Sequence, residues 1–118
     1  MNEQFKQDLI DWGVNWDDVK ERFMGNEDLV IKFMLKFLND KSFGELTEGL
    51  KEQNAEAAFK GCHSLKGVTG NLALDGMRPD VLELTEILRA GSLEGSDELY
   101  QKIKASYDNL IGILNKYS

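Results

Sequence analysis

Apolar residues recur every three or four positions along this chain, and in no segment do they alternate. That spacing matches the 3.6-residue turn of a helix and leaves strands without a pattern to build on. Only one of the 118 residues is proline, so nothing interrupts the helices except short punctuation. Residues 2–12 read as an amphipathic helix with Phe5, Leu9, Ile10 and Trp12 on one side, ended by Gly13. A short second segment, capped by Asn15 or Asp17, carries Trp16, Val19 and Phe23 and stops at Gly25. Asn26 caps a third, with Glu27 and Asp28 in its positive first turn. Leu29, Val30, Phe33, Met34, Phe37 and Leu38 follow at helical spacing. Ile31 and Leu35 widen that apolar face, which is either covered by the N-terminal segments or left as a docking patch.

Ser42 with Glu45 forms a capping box, and Phe43, Leu46 and Leu50 turn inward after it. Asn54 caps the next helix, which runs to about Leu74. Asp75-Gly76 marks a turn. A helix over 78–90 buries Val81, Leu84 and Leu88, with Pro79 confined to its first turn and Gly91 at its end. Ser96 caps a last helix to about Lys116, with Leu99, Ile103, Tyr107, Leu110 and Leu114 inward. Short links make successive helices antiparallel. The expected fold is all-α: an up-down-up-down four-helix bundle over residues 26–118, with short additional N-terminal helices over 1–25 as a cap, in one compact domain. A hydrophobic content of 42% supplies the core.

One helix stands apart. Ala58-Phe-Lys-Gly-Cys-His-Ser-Leu-Lys-Gly-Val-Thr-Gly-Asn-Leu72 holds the only histidine, His63, and three glycines, each costing a helix roughly 1 kcal/mol against alanine. On a helical wheel, Ala55, Ala58, Phe59, Cys62, Leu65, Thr69, Leu72 and Ala73 form the core stripe. His63 lies about 115° from its centre, on the solvent side. Gly67 follows it by one turn and Gly70 by two, so the imidazole stands beside a strip without side chains. Gly61 faces the other flank, as a packing glycine would. Lys60 and Lys66 bracket His63, each about 60° away around the axis. An exposed imidazole is a nucleophile or a proton carrier, and two ammonium groups favour an anion near it. The arrangement suits a histidine that accepts a phosphoryl group from a bulky donor.

Other chemistries fit poorly. Cys62 and His63 point about 100° apart and share no ion, and no further histidine or cysteine completes a metal site. Cys62 reads as a small core residue. The glycines are not in the register of a nucleotide-binding loop, and no carboxylate lies one turn from His63 to make a triad. The chain therefore has no visible means of phosphorylating itself. With 21 acidic and 14 basic side chains, a net charge of −7 and no dense basic cluster, nucleic acid and membranes are not expected partners. One cysteine and an N-terminus without an apolar run fit a cytoplasmic protein.

The run His63-Ser-Leu-Lys66-Gly67, followed by Gly70-Asn71-Leu72, is similar to the signature of histidine-containing phosphotransfer (HPt) domains. Phe37-Leu38, Phe43 and Leu46 before it, and Leu84-Thr-Glu-Ile-Leu88-Arg-Ala-Gly91 after it, extend the resemblance over about residues 25–117. Ala73, where the family often has glycine, and Pro79 depart from the pattern. The resemblance implies a four-helix bundle and a carrier role in a two-component phosphorelay. The phosphoryl group would move between Nε2 of His63 and the aspartate of response-regulator receiver domains. Lys66, Gly67, Lys60 and Gly70 would form the phosphate and docking surface, with Lys66 nearest the phosphate oxygens or its stem laid over the core edge. The chain would need no cofactor, the magnesium belonging to the receiver. A hybrid histidine kinase is a further partner, and the chain is expected to be a monomeric, free-standing intermediate rather than an enzyme. Two rivals remain: a helical adaptor that binds receivers without transfer, and the phosphoacceptor domain of a chemotaxis-type kinase.

Overall fold

A computed structural model describes residues 2–118; Met1 lies outside them. The described residues form seven α-helices: α1 Glu3–Trp12, α2 Trp16–Arg22, α3 Glu27–Lys36, α4 Ser42–Lys51, α5 Ala55–Asn71, α6 Arg78–Arg89 and α7 Ser96–Tyr117, with a short 3-10 turn at Phe37–Asn39 after α3. The fold is all-α, as the periodicity demands, and α4–α5–α6–α7 pack in sequence as the up-down-up-down bundle. The inward positions Leu46, Leu65, Leu84, Ile103, Leu110 and Leu114 are fully buried.

Two glycines set how closely α4 and α5 approach. A Cβ at Gly61 would lie 2.4 Å from the Leu46 backbone nitrogen, and one at Gly49 would lie 2.3 Å from that of Ala58. No side chain fits at either position, so the two backbones touch. The α7 face opposite α4 is aromatic. Phe43 stacks on Tyr107 at 4.0 Å, and Tyr100 shares a hydrogen bond with Thr47 at 2.7 Å.

The N-terminal helices are fixed by both ends. Phe5 stacks on Tyr117 at 4.5 Å, Trp12 Nε1 donates to the Ser106 carbonyl at 2.9 Å, and Tyr117 donates to Asp8. Glu27 gathers the first three helices, accepting from Trp16 Nε1 at 2.7 Å and from Lys6 at 3.2 Å. The α1–α2 link lies against the α5–α6 turn: Asn15 N–H donates to the Ala73 carbonyl and Gly76 N–H to that of Gly13, both at 3.0 Å. Gly13 and Gly76 let this happen, since a Cβ at Gly13 would sit 2.6 Å from the Gly76 Cα.

Several local expectations change. Ser42 does not cap α4. Asp40, in extended backbone, accepts from the Ser42 N–H at 2.9 Å and from its hydroxyl, while Lys41, just before the helix, makes no side-chain cap. The Ser96 hydroxyl donates back to the Leu93 carbonyl at 2.6 Å, and left-handed Gly95 precedes the helix instead. The histidine helix ends at Asn71, because Ala73 takes φ +52° and turns the chain. Ile10 and Phe33 are both 37% exposed. Their neighbours Leu9 and Met34 hold the inward positions, and Ile31 and Leu35 are half-buried on the core.

Candidate functional site

Asn54 starts α5 by accepting from the Ala57 N–H at 3.0 Å. From there the sequence divides cleanly. Ala58, Cys62, Leu65 and Thr69 are fully buried, and His63 is exposed with Ser64 beside it. Cys62 is held inward by Thr85, 3.2 Å from its sulfur, and burial pushes its thiol up. The cysteine and the histidine therefore face opposite environments.

The imidazole is seated rather than free. Its ring lies 5.5 Å from that of Phe59, one turn earlier, tilted by 38°. The Arg89 guanidinium covers the Phe59 ring from α6 at 5.0 Å. A Cβ at Gly67 would meet open space. His63, Lys66, Gly67 and Gly70 border one open recess of about 300 Å³, with Asn71, Arg22 from α2 and Arg78 from α6. Lys60 does not border it. Its side chain is 73% exposed and leans to Glu56, 4.0 Å away.

Arg22 and Arg78 lie on other helices, which is why no spacing along α5 points to them. Arg22 Nε sits 3.3 Å from both oxygens of Asp18. Arg78 has no carboxylate within 4.0 Å among the described residues. Its Nε is buried without a hydrogen-bond partner, a state that costs about 1–3 kcal/mol or more for a charged group. Three cations and no carboxylate thus border the recess. At an effective dielectric near 20, a cation about 5 Å from an anion contributes about 3 kcal/mol before desolvation. The recess is built to receive negative charge.

A second opening of about 660 Å³ adjoins it, sharing Arg22 and Asn71. Phe23, Phe33 and Phe37 give it an aromatic wall, with Lys36 at its rim, 4.8 Å over the Phe33 ring. The apolar surface of α3 and the imidazole of α5 therefore open onto one side of the molecule. No helix among the described residues is long and apolar enough to cross a membrane.

A family model described as Hpt domain matches residues 38–112, more than half of the chain, from the 3-10 turn into α7. No curated protein and no solved structure matches.

Proposed function

We propose, because the chain belongs to the Hpt domain family, that it carries a phosphoryl group between His63 and the aspartates of response-regulator receiver domains. Hpt domains are carriers in phosphorelays and not kinases, and the carrier atom here is Nε2 of His63. The Nε2 lone pair of His63 attacks the phosphorus of an aspartyl phosphate. The P–Nε2 bond forms as the P–O bond breaks, and the aspartate leaves as a carboxylate with the bonding electrons. The Nδ1 proton stays on the ring. Return transfer reverses each change. Such chemistry depends on positioning and charge neutralisation more than on covalent help from the protein.

The observation that carries this reading is the exposed imidazole of His63 beside Gly67, where no side chain obstructs a folded donor. Lys66 stands half-buried at the same recess, its stem along the core edge and its ammonium available to phosphate oxygens. Gly67 gives the donor its approach, and Lys60 lies outside the immediate contact. The magnesium belongs to the receiver, since a recess bordered by three cations repels a metal ion of its own.

Incubation with a phosphorylated receiver domain tests the proposal. Acid-labile, alkali-stable label is expected on the wild-type chain and not on His63→Gln. Label retained by His63→Gln overturns it. Binding of the receiver without label identifies an adaptor, and label arriving directly from ATP through a separate kinase core identifies a kinase's phosphoacceptor domain.

A further inference from the structure

Arg78 opens α6 and reaches back across α5 instead of out to water. Its Nη2 and Nε lie 3.4 and 3.6 Å from where a Cβ at Gly70 would be, so the absence of a side chain at Gly70 is what makes room for the guanidinium. The group occupies the recess bordered by His63, yet its Nε is buried with no acceptor. Folded proteins leave few buried donors unpaired. An arginine also carries its donors in a planar fork that fits phosphate oxygens. Lys66 borders the recess from α5. Arg22 enters from α2, restrained by Asp18 at 3.3 Å. Arg22 already has Asp18, but Arg78 and Lys66 have no carboxylate within 4.0 Å among the described residues, and the nucleophile beside them is one that acquires an anion when phosphorylated.

We propose that Arg78 binds the phosphoryl group once it is on His63, its guanidinium held over Gly70, with Lys66 beside it and Arg22 closing from the N-terminal side. This rests on His63 being the phosphoacceptor. Gly70 then serves the arginine and not the incoming partner, and the N-terminal helices form part of the phosphate site.

The full chain is labelled with phosphoramidate, whose P–N bond breaks to release ammonia as P–Nε2 forms, and the product is followed by phosphorus NMR at varied pH. A guanidinium bound to the phosphoryl oxygens holds their last protonation low. Arg78→Gln is expected to raise that apparent pKa by about one unit, about tenfold in proton affinity, with Arg78→Lys intermediate. The Arg78 Nε–H resonance is expected to move downfield on labelling. Gly70→Leu, which displaces the guanidinium without deleting it, is expected to give the same pKa change and serves if Arg78→Gln folds poorly. A labelled Arg78→Gln or Gly70→Leu protein whose phosphoryl titration matches wild type overturns the proposal while leaving the carrier reading intact. No phosphohistidine on the wild-type chain, from phosphoramidate or from a phosphorylated receiver, overturns both.

Discussion

Gly61 and Gly67 stand six residues apart in one helix and answer to opposite demands. Gly61 is pressed against the α4 backbone, whereas a Cβ at Gly67 would touch nothing. Gly61→Ala therefore forces the helices apart and is expected to cost about 1–3 kcal/mol in denaturant unfolding, despite alanine's better helix propensity. Gly67→Ala is expected to add about 1 kcal/mol by that same propensity. A bulkier change, Gly67→Gln, should keep the melting temperature while slowing transfer from a phosphorylated receiver about tenfold or more. An unchanged transfer rate would show that the bare strip is not where the donor lands. The side each glycine faces was legible from the helical wheel, as was the exposure of His63. Gly49 was not, because its need for a bare backbone comes from Ala58 on the facing helix. Arg22 and Arg78 escaped for the same reason: their meeting with His63 is made by packing among three helices.

At the level of the helices, the turns are closed by an unexpected set of residues. After α2, α4 and α5 the chain enters the left-handed region at Met24 (φ +56°), Gln53 (φ +55°) and Ala73 (φ +52°). Each closes a paired hydrogen-bond motif; after α4, Gln53 N–H reaches the Leu50 carbonyl and Asn54 N–H that of Gly49. Glycine is the usual residue there, so the pattern carries α5 on to Leu74, three residues past its end at Asn71, whereas Gly91 marks the end of α6 where glycine is expected. Gln53 is exposed and its side chain has no burial to lose. Gln53→Gly is expected to raise stability by roughly 0.5–1 kcal/mol, the relief of left-handed strain exceeding the entropy glycine adds to the unfolded chain. A lower melting temperature would place other contacts of Gln53 above its backbone strain. The α4 start at Ser42 was legible, but its cap was not, because Asp40, just outside the pattern, takes the Ser42 N–H and hydroxyl instead.

Across the whole molecule, carboxylates whose charge the fold favours tie the N-terminal helices together, at Glu27, and to the bundle, at Asp8. Hydrogen bonds from Trp16, then from Lys6, hold Glu27 below its ordinary value, and those from Tyr117 and Gln4 do the same for Asp8. A carboxyl lowered on folding contributes stability in full above its unfolded pKa, 4.5 for glutamate, and loses it as pH falls through the lowered folded value. Thermal midpoints should therefore be flat above that range and decline below it. Glu27→Gln is expected to flatten part of the decline, and an identical acid profile would detach Glu27 from acid stability. That these helices fold back on the bundle was legible from their amphipathic faces. Their fastening to the α5–α6 turn was not, since it is made by the backbones of Gly13, Asn15, Ala73 and Gly76.

That fastening bears on how the module could be moved. A chimera built on residues 38–112 alone would carry the histidine and its glycines into the new host. It would leave behind Phe5, Leu9, Val19 and Met34, all buried here, and with them Arg22. Anyone transplanting the relay function should take the first three helices as luggage, or supply a substitute lid with a cation at its rim.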